Sequence, residues 1–158
     1  MAHILIADDD EIIAALAANI LMDAGHACGW VTDGQKLLDL LAWKRPDLIL
    51  LDQDMPEMTG NQVLRKLRTS QEYYDISVIM FTAKNGAQDE LQAIYAGAQD
   101  YIRKPFEPEF LLWHVNQALQ VRAKRPSHVD LKTVLAQNSG RWFDPEAEPE
   151  DTLKRRAV

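Results

Sequence analysis

Between Met1 and Val121 the chain alternates short apolar runs with longer segments in which apolar residues recur every three or four positions. His3-Ile4-Leu5-Ile6-Ala7 reads as a strand that ends in Asp8-Asp9-Asp10. Ile12, Ile13, Leu16, Ile20 and Leu21 then recur at helical spacing and predict a helix over 11–24, with Gly25 as its stop. Ala27 to Val31 predicts a second strand, and Leu37, Leu38, Leu40 and Leu41 a second helix that ends before Pro46. Leu48-Ile49-Leu50-Leu51 is too short for a helix and suits a strand buried on both faces. A third helix is predicted over 59–68, a fourth strand over 76–82, a fourth helix over 88–96, a fifth strand over 100–103 and a last helix over 107–121.

Strands alternating with helices specify an α/β fold with a parallel sheet, because each right-handed crossover lays its helix on one face. Ligands of such sheets bind outside the carboxyl ends of the strands, where the winding reverses. Here those ends carry Asp8-Asp9, Asp52 and Thr82, with Lys104 after the fifth strand. In the order 2-1-3-4-5, strands one and three flank the reversal and bring Asp8, Asp9 and Asp52 into one crevice. Taken alone, Asp52-Gln53-Asp54-Met55-Pro56-Glu57-Met58-Thr59-Gly60 reads as no more than a turn. The carboxylates predicted around it change that reading.

Composition narrows the functions without naming one. With 158 residues, 47% hydrophobic and 26% charged, the chain can bury one sizeable core and leaves room for an appendage. No apolar run approaches the roughly 18 residues of a membrane span, and no secretory signal opens the chain, so a cytoplasmic protein is expected. The single cysteine, Cys28, excludes an internal disulfide and reads as a small buried hydrophobe. Residues 1–121 hold 18 acidic against 9 basic side chains, which disfavours direct binding of nucleic acid by this part.

Three clustered carboxylates repel one another, and a hard divalent cation such as Mg²⁺ in an all-oxygen site relieves that repulsion. Lys104 brings a fixed positive charge to the same space and Thr82 a hydroxyl. Nothing is spaced as a Ser-His-Asp or Cys-His pair, and no Gly-rich phosphate loop is present. The chemistry left is phosphoryl transfer to a carboxylate, with Asp52 attacking in line.

With the acidic pair, Asp52, Met55-Pro56-x-Met58-x-Gly60, Thr82-Ala83 and Lys104-Pro105-Phe106 in order, residues 3–121 resemble the receiver domains of two-component response regulators. The resemblance implies a doubly wound, flavodoxin-like five-stranded sheet in the order 2-1-3-4-5, with a receiver over 1–122 and a tail over 123–158. It implies that Asp52 accepts a phosphoryl group from a histidine kinase or phosphotransfer protein. Asp8 and Asp9 would bind Mg²⁺ with Asp52 and the backbone carbonyl of Asp54. Thr82 and Tyr101 would be the switch pair, Lys104 would contact phosphoryl oxygens, and Lys104-Pro105 would be a cis peptide. A signalling module of this kind is no turnover enzyme. A Mg²⁺-dependent phosphatase using an aspartyl-phosphate, with Asp54 as acid, stays open as the alternative, as does a receiver-like adaptor that binds partners without phosphorylation.

Asp10 is expected to cap the first helix rather than bind metal. His3, His26, His114 and His128 lack ligand spacing and are expected to face solvent or pack. Asp54 and Lys84 are expected to pair over the site and set the lifetime of the acyl phosphate. On the last helix, Leu111, Leu112, Val115 and Leu119 face inward, so Phe110 and Trp113 project elsewhere. With Tyr101 they form an expected output face for a downstream protein, an output domain or a second copy. The tail offers an amphipathic stretch over 128–137, then Trp142-Phe143 and an acidic run, all too short for a DNA-binding output domain. That tail is expected to dock on the Phe110-Trp113 stripe or to recruit a partner.

Overall fold

The computed structural model describes residues 1–83 and 86–124, the last three by backbone alone. Ten elements alternate along it: β1 (His3–Ala7), α1 (Glu11–Asp23), β2 (Ala27–Val31), α2 (Gly34–Leu41), β3 (Leu48–Leu51), α3 (Gly60–Thr69), β4 (Ser77–Thr82), α4 (Ala87–Ala96), β5 (Asp100–Arg103) and α5 (Pro108–Lys124). The strands form one parallel sheet in the order β2-β1-β3-β4-β5, as expected. α5 runs three residues past its expected end, beyond the boundary placed at 122. Lys84 and the tail features at 128–137 and 142–151 lie outside the described residues.

The sheet is buried on both faces because strand side chains alternate. Leu5, Ala7, Ile49 and Leu51 point to one core, shared with Leu37 and Leu41 of α2 and with Val63, Leu64 and Leu67 of α3. Ile4, Ile6, Leu48 and Leu50 point to the other, shared with α1 and with Leu111 and Val115 of α5. Each fully buried Leu or Ile contributes about 1.5–3 kcal/mol relative to exposure. Together these contacts fix which ends of the strands meet.

Helix α1 forms where the spacing placed it, but it buries small residues more than large ones. Its buried side is Ala14, Ala17, Ala18 and Leu21, whereas Ile12 is 80% exposed and Leu16 half exposed. Alanines let the helix approach the sheet and α5 closely, while Ile13 and Ile20 reach the core only from its margin. Asp10 caps the helix as expected, its Oδ1 accepting the N–H groups of Ile12 at 3.0 Å and Ile13 at 3.3 Å. Cys28 corrects the sequence reading: on edge strand β2 it is only partly buried, though burial still pushes its thiol up to about 11.

Arg68, in the last turn of α3, joins three chain segments. Its guanidinium donates to Gly97 O from Nε and Nη2 at 2.9 and 2.7 Å, and from Nη1 to Tyr74 O at 3.0 Å and Ile76 O at 2.7 Å. A further bond from Nη2 reaches Gln99 Oε1 at 3.1 Å, and that oxygen also accepts Val78 N–H at 2.6 Å. Gly97 closes α4 with φ of 109°, and a Cβ there would lie 2.7 Å from Arg68 Nε. The guanidinium thus takes the carbonyls that end α4 and lead into β4.

Candidate functional site

The first strand ends where its neighbours' ladders continue: Asp8 N–H donates to Val31 O at 3.0 Å and Asp52 N–H to Ala7 O at 2.9 Å. Those two bonds hold the carboxylates of Asp8 and Asp52 beside each other at the carboxyl ends of β1 and β3. Both residues are buried, at 0% and 4% exposure, while Asp9 is exposed. Oxygen atoms of Asp8, Asp9 and Asp52 lie within 4.8 Å of one another. The predicted convergence is therefore present.

Lys104 enters from the far side, its backbone N–H donating to Thr82 O at 2.9 Å. Its ammonium pairs with Asp8 Oδ2 and lies 3.6 Å from Asp52 Oδ1. The same Nζ sits 4.9 Å from the centroid of the Phe81 ring, which tilts against Phe106 at 5.1 Å. The Lys104-Pro105 bond is cis. Asp8 is held from its other side as well, Oδ1 accepting Asp10 N–H at 2.9 Å. Thr82 is fully buried and its hydroxyl hydrogen-bonds the Asp52 carboxylate.

One ammonium does not balance this cluster. Burial raises the Asp52 carboxyl from 3.8 to about 6; Lys104 and the Thr82 hydrogen bond pull it down, and the charges of Asp8 and Asp9 push it up. A hard cation fits the donor set, which is all oxygen and half buried.

The loop after Asp52 is shaped by contacts that the sequence did not single out. A Cβ on Gly60 would lie 2.4 Å from the backbone oxygen of Asp52 and 2.9 Å from Gln53 Cα, so no side chain fits there. Gly60 N–H donates to Gln53 O at 2.9 Å and Asn61 N–H to Gln53 Oε1 at 2.8 Å, which fastens the start of α3 to the residue after Asp52. Met58 N–H closes a tight turn on Pro56 O at 2.7 Å around Glu57, whose φ is 67°. Gln53 stood inside the quoted motif without a local signal of its own, and Phe81 read only as a strand former.

Tyr101 is turned inward at 7% exposure, its hydroxyl raised by burial and then by Asp89. It is therefore no part of an exposed surface in this state. Phe110 and Trp113 do project outward, 48% and 59% exposed, with the His114 ring between them at 4.2 and 4.9 Å. His114 Nδ1 pairs with Asp100 Oδ2 of β5, a packing role in line with expectation. Asp54 is exposed beside the site, and its expected partner Lys84 lies outside the described residues.

Comparison with known proteins agrees with this geometry. Residues 4–116 match the family model described as response regulator receiver domain. The DNA-binding dual master transcriptional regulator RpaA of Synechocystis is 36% identical over 137 residues, covering 87% of this chain and 57% of the relative. The phosphate regulon transcriptional regulatory protein PhoB of Pseudomonas aeruginosa is 36% identical over 117 residues, covering 74% and 51%. The chain thus spans about half the length of these curated relatives. Among solved structures, Vibrio cholerae chemotaxis protein CheY4 superposes with a TM-score of 0.71 at 30% identity, covering 75% of this chain and 98% of that one. The receiver domain of a Syntrophus aciditrophicus signal transduction histidine kinase gives 0.73 at 30% identity, covering 83% and 99%. The order of the sheet, the acidic crevice and these matches together place the chain in the family of response regulator receiver domains.

Proposed function

We propose that Asp52 accepts a phosphoryl group from the phosphohistidine of a histidine kinase or phosphotransfer protein, and that the change is read on another face of the domain. The observation that carries this is the placement of Asp52, buried between Asp8 and Lys104 with the Thr82 hydroxyl on its carboxylate. An Asp52 oxygen attacks phosphorus, the P–N bond breaks, and the imidazole nitrogen leaves with the electron pair. Asp8, Asp9, Asp52 and the Asp54 carbonyl would hold Mg²⁺, which supplies charge neutralisation at the phosphoryl oxygens. Lys104 exchanges its pairing with Asp52 for one with the new phosphoryl oxygens, and Thr82 turns its hydroxyl to them. Tyr101 follows the movement, linking the site to the Phe110-Trp113 stripe, where a downstream protein, an output domain or a second copy reads the state.

Asp54, exposed beside the site, and the residue at position 84, which lies outside the described residues, are the two positions we assign to setting how long the acyl phosphate lasts. The module transfers one group and stops, so it is a signalling domain rather than a turnover enzyme, working in the cytoplasm; the described residues contain no helix long and apolar enough to cross a membrane. Incubation with acetyl phosphate and Mg²⁺ tests the reading. The expected result is one phosphoryl group per chain by intact mass, lost on Asp52→Asn. An unchanged mass, or equal labelling of the variant, overturns it, and continuous release of phosphate from phosphomonoesters would mark an enzyme instead.

A further inference from the structure

At the amino ends of β1 and β2, away from the acidic crevice, a groove of about 320 Å³ opens between the sheet and the end of α2. Gly29 forms part of it, with Leu5 behind and Leu40 and Trp43 across from it. Nothing in the fold demands a glycine there. The register of β2 against β1 is unbroken from Ala27 to Val31, the backbone needs no positive φ, and a Cβ would meet only Leu5 Cδ1 at an ordinary 3.9 Å. Glycine within a strand weakens it, and one with no bulge or turn to serve marks a place where another group comes close.

Among the described residues no strand pairs with the outer edge of β2. Ala27 N–H bonds Ala2 O at 2.9 Å and Val31 O accepts Asp8 N–H at 3.0 Å, so residues 27, 29 and 31 face β1. The backbones of Cys28 and Trp30 face away from the sheet. β2 carries no charge, proline or bulge of the kind that protects edge strands. Trp43 stands 86% exposed at the rim. The only ionisable side chains with cationic character lining the groove are Lys44 and His3; no carboxylate lines it, and Lys44 forms no ion pair among the described residues.

We infer that this corner receives an extended peptide segment of a partner protein, added as a strand along β2, with one aromatic side chain seated over Gly29 and an acidic residue beside Lys44. Main-chain bonds at Cys28 and Trp30 supply affinity, and the groove and the cationic rim supply selectivity. The site is independent of phosphoryl acceptance at Asp52.

The test titrates a capped synthetic octapeptide, with a central phenylalanine among valines and glutamates, into the nitrogen-15-labelled full chain. Amide shifts are expected at Cys28, Trp30, Leu40, Trp43 and Lys44, with slowed hydrogen exchange at Cys28 and Trp30. Gly29→Val should fill the groove, keep the melting temperature and weaken binding by about tenfold or more. Lys44→Glu should weaken it by about threefold, with the loss vanishing at high salt. Should Gly29→Val fail to fold, Trp43→Ala replaces it, since that side chain is almost wholly in solvent. No shifts at millimolar peptide, equal binding by both groove variants, or shifts confined to α4, β5 and α5 would overturn the inference. Sedimentation that shows chains pairing through β2 without peptide would assign the groove to a second copy and overturn it equally.

Discussion

Two charged centres sit on this sheet, and they are solved in opposite ways. Around Arg68 a single cation meets four oxygen acceptors, from Gly97, Tyr74, Ile76 and Gln99, and is satisfied by them. Around Asp52 three carboxylates meet one ammonium; burial first, and the charges of Asp8 and Asp9 after it, leave the Asp52 carboxyl raised to about 6 despite Lys104. The first arrangement belongs to folding: it ties α3, α4 and β4 and asks for nothing further. The second is incomplete without another positive charge or a transferred group, which is the condition a functional site needs.

The sharpest way to break this comparison is to remove the satisfied cation. Arg68→Ala leaves part-buried carbonyls, that of Ile76 above all, without a donor and should lower stability by roughly 1–3 kcal/mol, read by urea denaturation. Labelling of Asp52 by acetyl phosphate, measured well below the melting temperature, should survive. A loss of labelling with no loss of stability would reverse the roles assigned to the two centres.

Removing the unsatisfied charge should have the opposite sign. The folded chain holds the Asp52 proton more tightly than the unfolded chain, at about 6 against 3.8. Its contribution to stability is thus fully present below pH 3.8 and is lost as pH rises through about 6. Asp52→Asn should abolish labelling and remove that loss, gaining roughly 2–3 kcal/mol over the native chain between pH 4 and pH 7.5 in metal-free buffer. Parallel stability profiles for the two proteins would contradict it.

Supplying the missing positive charge should sharpen the contrast by a smaller amount. Mg²⁺ at ten times its dissociation constant should stabilise the native chain by about 1.4 kcal/mol at pH 7.5. The effect should shrink at pH 5, where Asp52 holds its proton, and vanish in the Asp8→Asn, Asp9→Asn double variant. Differential scanning fluorimetry at both pH values reads this directly. Smallest of the set is Asp10→Ala, expected to cost about 1 kcal/mol through the lost cap of α1 while leaving Mg²⁺ affinity nearly unchanged. A collapse of Mg²⁺ affinity would move Asp10 into the site.

Local pattern reached a good part of this. The apolar run Leu48 to Leu51 lies wholly buried as β3, and Asp10 caps α1. Phe110 and Trp113 project as the spacing of Leu111 and Val115 requires. In α1 the spacing found the helix without its buried side: Ile12 and Leu16 lie exposed, and the fold buries Ala14, Ala17 and Ala18. Spacing records that a helix has an apolar side; how near the sheet lies decides whether alanine or isoleucine fits against it. The motif containing Gly60 was visible, yet its cause was not, since the backbone oxygen that excludes a side chain belongs to a residue eight positions earlier.

What the residues determined by themselves is periodicity and local hydrogen bonding: where strands and helices run, how α1 begins, which side chains carry charge. Only the tertiary structure decided which of those charges meet. Asp8, Asp52 and Lys104 stand far apart along the chain and touch because β1 lies beside β3 and the loop after β5 folds back over both. Strand order is set by burial on both faces of the sheet and by the sense of each crossover, properties of the whole packed core that no single stretch contains.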